Sequence, residues 1–167
     1  NTTTIDNCSF EGQVFSSYVG TGSGHIGGLI GRGNTNLVRC WSKGSVVAPS
    51  AAFVGGLVGS NSGNCGYSYS LCDVQGNRYV GGFMGQSGGA TLNCWSRGNV
   101  QGDRYVGGFV GDQNGTINRC YSTGFVQGNS NVGGFCGNLS GGIIENSVWN
   151  IETSGQITSQ GGIGKTT

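Results

Sequence analysis

The hexapeptide Val106-Gly107-Gly108-Phe109-Val110-Gly111 decides the fold, because the chain repeats it. Related hexapeptides begin at Ile26, Val54, Val80 and Val132. The step from position 26 to 54 is 28 residues, and each later step (54 to 80, 80 to 106, 106 to 132) is 26 residues. A fixed period of this size in a chain of 167 residues predicts stacked repeats, each burying its apolar face against its neighbours.

The sequence between the hexapeptides favours strands and turns. Residues 114–128 read NGTINRCYSTGFVQG, in which glycine and asparagine separate short runs of β-branched and aromatic residues. Helices are not expected, because each of the 37 glycines would cost a helix interior about 1 kcal/mol. We therefore predict an all-β chain, a parallel β-helix (β-solenoid) of about five coils with a 26-residue repeat and three short strands per coil.

Equivalent positions of successive coils then lie above one another, about 4.8 Å apart, and form ladders. The hexapeptide's aliphatic positions and one valine column are expected inside, while glycine recurs where the backbone turns or another coil comes close. The valine column consists of Val14, Val46, Val74, Val100 and Val126.

The organisation predicted for residues 1–167 is a single repeat domain. Residues 1–24 contain the second half of a repeat and a Gly/Ser-rich loop, residues 25–152 form five coils, and residues 153–167 form a Gly-rich tail. A second loop, residues 48–53, contains Pro49 and makes the first full repeat two residues longer. The leading half-repeat favours a chain cut from something longer.

Charge excludes some classes of partner. Eight basic and seven acidic residues give a net charge of +1, so nothing electrostatic favours nucleic acid or an anionic membrane. No stretch approaches the roughly 18 apolar residues of a membrane span. We expect neither nucleic-acid binding nor a membrane span in this chain.

Seven cysteines are an odd number, so at least one thiol stays unpaired within the chain. Cys8, Cys40, Cys94 and Cys120 recur in one column, which favours small buried wall residues over disulfides, since stacked strands hold their Cβ vectors parallel. Cys65 and Cys72 would lie roughly 23 Å apart on an extended strand and can pair only if that segment loops.

The pattern V-G-G-[LF]-[VM]-G, followed by G-T-I-x-x-C-Y-S-T-G-x-V at residues 115–126, resembles the GLUG-motif repeats of bacterial surface proteins, adhesins and regions flanking immunoglobulin A peptidase modules. The closing segments 146–156 and 161–167 resemble the usual ending of such arrays. The resemblance covers nearly the whole chain and implies a secreted or cell-surface repeat region without catalytic residues. Segment 15–24 and the cysteines at 65, 72 and 136 depart from it.

Candidate chemistry is sparse, and we predict no catalytic residue, no metal site and no cofactor. Gly164-Lys165-Thr166 imitates the end of a phosphate-binding loop, but Ser159 stands where that motif requires glycine. His25 is the only histidine and occupies a column that holds Phe53, Tyr79, Tyr105 and Asn131 in the other repeats, so it fits as a variant of an aromatic column. The seven acidic residues are scattered, and no column holds two adjacent acids for glycoside cleavage.

The best candidate surface is an aromatic column one residue after the cysteine column. If the small residues beside Tyr121 face inward, alternation turns the ladder outward, where it could bind sugars or another subunit. Alternatively the ladder faces inward and fills the space beside the Gly-Gly columns, and this is the interpretation that we prefer. The alternation of residues along the sequence does not decide between the two, since a bend anywhere in the repeat reverses the assignment. The column consists of Trp41, Tyr69, Trp95 and Tyr121.

Four sequons, beginning at Asn1, Asn7, Asn114 and Asn138, are weak candidates for N-glycosylation. The leading functional hypothesis is a non-enzymatic extracellular module, either structural or adhesive, that could assemble end to end into a filament through unpaired backbone at a coil end. One alternative is a carbohydrate-binding module that uses the aromatic ladder. The other is a non-catalytic fragment of a larger surface peptidase. The partners expected are further copies of the chain, a cell surface or glycans.

Overall fold

The structure, a computed structural model, describes residues 3–17 and 23–167 and confirms the parallel β-solenoid of about five coils. This part of the chain contains 25 strands and one helix, numbered here in chain order. The loop predicted within residues 1–24 lies partly outside the described residues.

The leading half-coil and the first two coils comprise β1 (Thr3–Asp6), β2 (Ser9–Phe15), β3 (His25–Gly27), β4 (Ile30–Gly33), β5 (Thr35–Val38), β6 (Trp41–Val47), β7 (Phe53–Gly55), β8 (Val58–Asn61), β9 (Cys65–Gly66) and β10 (Tyr69–Gln75). The next two comprise β11 (Tyr79–Gly81), β12 (Met84–Ser87), β13 (Ala90–Leu92), β14 (Trp95–Ser96), β15 (Val100–Gln101), β16 (Arg104–Gly107), β17 (Val110–Gln113), β18 (Thr116–Asn118), β19 (Tyr121–Ser122) and β20 (Val126–Gln127). The remainder comprises β21 (Ser130–Gly133), β22 (Cys136–Leu139), β23 (Ile143–Glu145), β24 (Val148–Asn150), α1 (Ile151–Ser154) and β25 (Ile163–Lys165).

These strands form four parallel sheets that run along the solenoid axis. Sheet A contains β1, β5, β9, β13, β18 and β23, and sheet B contains β2, β6, β10, β14, β15, β19, β20, β24 and β25. Sheet C contains β3, β7, β11, β16 and β21, and sheet D contains β4, β8, β12, β17 and β22. Each complete coil therefore passes through sheets C, D, A and B in turn.

The registers confirm the predicted ladders. Val54, Val80, Val106 and Val132 pair in succession along sheet C. The valine column of sheet B is equally continuous, from Val14 through Val46, Val74, Val100 and Val126. Equivalent positions thus stack coil upon coil, as the 26-residue period requires.

The number of strands per coil was predicted wrongly, because the hexapeptide bends in its middle and supplies strands to two sheets. In one copy, Val106 and Gly107 end β16 and Val110 begins β17. A Cβ atom added to Gly107 would lie 2.1 Å from the carbonyl oxygen of Val110 and 2.7 Å from that of Phe135. Only glycine fits so close to two backbone segments, which explains why this position recurs.

The interior has two apolar regions. One contains the hexapeptide's large side chains, where the buried rings of Phe83, Phe109 and Phe135 stack at centroid distances of 4.8 and 4.9 Å. The other contains the valines of sheets B and C. Burying each such side chain contributes roughly 1.5 to 3 kcal/mol, so cohesion comes from contacts between coils.

All seven cysteines are free thiols, as the column argument favoured. Cys40, Cys94 and Cys120 are buried wall residues, whereas Cys8 is exposed. Cys65 and Cys72, also buried and unpaired, do not bridge.

The C-terminal tail folds back over the last coil. Gly134 donates a backbone hydrogen bond to Thr158 (3.0 Å), and the Cys136 amide donates to Ser159 Oγ (2.8 Å). Trp149 is 6% exposed and donates from Nε1 to the Gln156 carbonyl oxygen (3.0 Å). Because β25 also pairs with β24, the tail covers both the apolar interior and sheet backbone at this end.

Candidate functional site

The predicted aromatic ladder lies on the outer face of sheet B. Trp41 is half-buried between Cys40 and Ser42, both of which are 0% exposed. The same alternation recurs around Tyr69, Trp95 and Tyr121. Period-two alternation therefore turns all four rings outward.

The interpretation that these rings fill the space beside the glycines was wrong, because serines fill it. Ser42 donates from Oγ to the Gly56 carbonyl oxygen (2.8 Å), and Ser96 donates likewise to Gly108 (2.8 Å). A Cβ atom at Gly56 would lie 2.1 Å from the hydroxyl oxygen of Ser70. The inward serine column was recognisable in the sequence because it recurs with the same period as the hexapeptides, but it was not predicted as a packing element. It consists of Ser42, Ser70, Ser96 and Ser122.

The rings of the ladder stack on one another. Their centroids are 6.0 Å apart for Trp41–Tyr69, 4.3 Å for Tyr69–Trp95 and 5.7 Å for Trp95–Tyr121, with planes within 5° of parallel. The Arg97 guanidinium lies 4.9 Å from the Trp95 centroid. Most ring faces are therefore covered and mainly the edges meet solvent, whereas a sugar needs an open face to stack on. Ligand binding by this ladder stays a prediction that the geometry does not favour.

A second aromatic column crosses the strands of sheet C at or near the first residue of each strand. His25, Phe53, Tyr79 and Tyr105 stack at 4.6, 4.8 and 5.0 Å, and the Arg78 guanidinium lies 4.9 Å from the Tyr79 centroid. Burial, aided by the nearby positive charge of Arg32, lowers the pKa of His25. His25 thus packs as a member of this column, as its sequence position suggested.

Sheet B also carries an outer groove that sequence reasoning missed. Its volume is about 500 Å³, and it runs between two outward columns that are two positions apart along the strands. One column consists of Ser45, Asp73, Asn99 and Phe125; the other consists of Val47, Gln75, Gln101 and Gln127. The recurrence of glutamine at 26-residue spacing was the available signal in the sequence.

Ionisable side chains are not gathered into a catalytic or metal-binding group. Within residues 3–17 and 23–167, no three His, Cys, Asp or Glu residues lie close enough to hold a metal ion. Asp112, 5% exposed, instead accepts hydrogen bonds from Gln86 Nε2 (3.0 Å) and Asn138 Nδ2 (2.7 Å). Beside it, Gln113 is fully buried, and neither polar atom of its side chain has a hydrogen-bond partner among the described residues.

The sequons differ in accessibility. Asn7 and Asn114 are exposed, whereas Asn138 is half-buried with its amide nitrogen committed to Asp112. Because an N-glycan attaches to that nitrogen, Asn138 is a poor acceptor in the folded chain. Asn1 lies outside the described residues. The remaining motif, Gly164-Lys165-Thr166, overlaps β25.

Taken together, the four stacked sheets and their ladders define a parallel β-solenoid domain. The part of the chain that the structure describes has no helix long and apolar enough to cross a membrane. Neither a family model nor a curated protein matches the sequence.

Among solved structures, the chain is similar to the crystal structure of a "putative immunoglobulin A1 protease from Bacteroides ovatus". The TM-score is 0.71 and the sequence identity is 20%, and the match covers 98% of this chain and 67% of that chain. At this identity the likeness shows a shared fold and carries no activity across.

Proposed function

We propose that this chain is a non-enzymatic structural module of a secreted or cell-surface protein of the GLUG-repeat kind, acting as a rigid spacer. The observation that carries the proposal is the use of nearly every recurring side-chain column for contacts between coils. Phenylalanines, valines, serines and both aromatic columns each bind one coil to the next. A solenoid held together in this way suits a mechanical role, because its length is set by the number of coils.

Two features make catalysis a weaker interpretation. The salt bridges of the described residues, Arg39–Asp6 and Lys43–Glu11, are exposed surface pairs. The most deeply buried carboxylate, Asp112, is occupied by amide donors rather than by another acid or a histidine. A general acid–base pair would need two titratable groups within reach of one substrate.

A second candidate is a non-catalytic region of a larger surface peptidase, favoured by the name of the structural neighbour. This role is compatible with a spacer, because a catalytic domain elsewhere would still need to be held at a distance. The filament hypothesis has less support, since the tail covers the C-terminal end of the last coil. End-to-end stacking through that end would require displacing the tail.

The test of the spacer is an in-register deletion. Removing residues 80–131 takes out two 26-residue periods and joins Tyr79 to Val132. Val132 belongs to the same sheet C column as Val80, so it takes the place of the deleted valine in register. We expect a cooperatively folded chain whose longest dimension, measured by small-angle scattering, falls by about 10 Å. Removing residues 80–92 breaks the register and serves as the control, which should not fold.

Catalysis is tested separately by incubating the intact chain with immunoglobulin A1. We expect the immunoglobulin to stay uncleaved. Cleavage that persists after purification to homogeneity would overturn the non-enzymatic proposal, and unfolding of the two-coil deletion would overturn the modular spacer.

A further inference from the structure

The groove on sheet B has hydrogen-bonding groups that the fold does not use. The side chains of Gln75, Gln101 and Gln127 are exposed and make no hydrogen bond within the described residues. Their backbones pair in register, so the three amides follow the solenoid axis at intervals of about 4.8 Å. Each amide offers two donors and an acceptor to whatever occupies the groove.

The opposite wall is held more rigidly. Asp73 Oδ1 accepts a hydrogen bond from the backbone N–H of Asn99 (2.8 Å), and Asn99 Oδ1 accepts one from the backbone N–H of Phe125 (3.2 Å). These bonds to the backbone of the next coil fix both side chains. The second carboxylate oxygen of Asp73 and the side-chain nitrogen of Asn99 make no hydrogen bond to any residue that the structure describes, and both are held at defined positions along the groove.

An apolar ring lies at the C-terminal end of the same wall. Phe125 is 49% exposed, unlike the buried phenylalanines of the hexapeptides. A Cβ atom on Gly155 would lie 3.1 Å from this ring, so the tail packs closely against it. The ring is held in place while about half of its surface remains open.

Charge narrows the class of ligand. Asp73 is the only ionisable side chain among the groove's lining residues, which disfavours phosphates, sulfates and uronic acids. Amides that both donate and accept suit hydroxyl groups, and an open aromatic ring suits the C–H face of a sugar. An extended chain of pyranose rings also repeats over a distance close to one strand spacing.

We propose that this groove binds a neutral glycan chain lying along the solenoid axis. The four coils that line it span about 14 Å, enough for roughly three sugar rings. Gln75, Gln101 and Gln127 bind the hydroxyl groups from one side, and Asp73 and Asn99 bind them from the other. Phe125 packs against the terminal ring. The site is separate from the aromatic ladder and goes beyond the spacer role.

The proposal is tested by isothermal titration of the intact chain with cellohexaose, mannohexaose and xylohexaose, with hexagalacturonate as the anionic comparison. We expect at least one neutral oligosaccharide to bind and the anionic one not to bind. Replacing Gln75→Ala and Gln101→Ala together should weaken binding about tenfold, since two hydrogen bonds are lost. The matched control is Gln160→Ala, an exposed glutamine outside the groove, which should leave affinity unchanged.

Two outcomes would overturn the proposal. One is the absence of binding by all three neutral oligosaccharides at millimolar concentration. The other is loss of binding in Trp41→Ala with retention in the double glutamine variant, which would place the ligand on the aromatic ladder instead. Circular dichroism of each variant checks the fold. The glutamine variant should melt like the wild type, because the amides it removes make no hydrogen bond to the residues that the structure describes.

Discussion

Removing one ring from the buried phenylalanine ladder should cost a large fraction of the roughly 5 to 15 kcal/mol that stabilises a typical domain. Phe109 is 1% exposed and stacks against Phe83 at 4.8 Å and Phe135 at 4.9 Å. Truncating a buried phenylalanine to alanine costs about 3 to 5 kcal/mol, including the cavity left behind. Loss of two stacked contacts, each about 0.5 to 1.5 kcal/mol, places Phe109→Ala at the upper end of that range.

The chain supplies its own controls for this experiment. Leu57 occupies the equivalent position of an earlier hexapeptide and is also fully buried, so Phe109→Leu should cost less than about 2 kcal/mol. Phe125 is 49% exposed, so Phe125→Ala should change stability by less than about 1 kcal/mol. The free energy of unfolding is measured by guanidinium titration, followed by circular dichroism and tryptophan fluorescence.

If Phe109→Ala costs no more than Phe125→Ala, burial and stacking do not decide stability in this chain. If Phe109→Leu is as damaging as Phe109→Ala, the column requires an aromatic ring instead of an apolar volume. Either result would refute the prediction. A fall in the slope of the transition without a change in midpoint would indicate that the coils no longer unfold together.

Four further predictions follow from individual positions. Gly107→Ala should cost more than about 3 kcal/mol in a denaturant titration, since its Cβ would lie 2.1 Å from a carbonyl oxygen. Gly66→Ala should cost almost nothing, since its Cβ would lie 4.0 Å from the nearest neighbouring atom. Gln113→Met should raise the free energy of unfolding by about 1 to 3 kcal/mol by removing a buried unpaired amide; a lower value would contradict this. Burial raises the pKa of the Cys136 thiol from 9.0 to about 12, so the free energy of unfolding should fall between pH 9 and 12, where unfolding releases the thiol proton. Cys136→Val should reduce the slope of this fall by up to about 1.4 kcal/mol per pH unit. A thiol reagent at neutral pH should modify Cys8 in the native chain and all seven thiols after denaturation, and faster labelling of a second thiol would refute the burial pattern.

The solenoid was predictable because its information is periodic. The hexapeptides place Val80 above Val54 at a spacing that leaves the register little freedom, and the two residues do pair in the folded chain. The bend within the hexapeptide was not predictable in the same way. Gly107 permits either an extended or a bent path, and the choice depends on how closely Val110 and Phe135 of the neighbouring segments approach it.

The candidate site was likewise predictable only in part: the membership of the aromatic ladder followed from the sequence, but its orientation did not. Sequence spacing alone placed Trp41, Tyr69, Trp95 and Tyr121 in one column, but their orientation depended on which neighbouring side chains fill the interior. That role belongs to the serine column, whose hydroxyls donate to glycine carbonyls 14 and 12 residues further along the chain, at the bend between sheets C and D. No local pattern encodes such a contact.

By itself, the amino-acid sequence determined the coil length, the parallel stacking and the membership of each ladder, because these depend on distances along the chain that repeat every 26 residues. Only the tertiary structure decided which ladder faces inward, where each coil turns and how the tail covers the last coil. Those features depend on contacts between different sheets, where one atom added to a glycine would collide with the backbone of another coil.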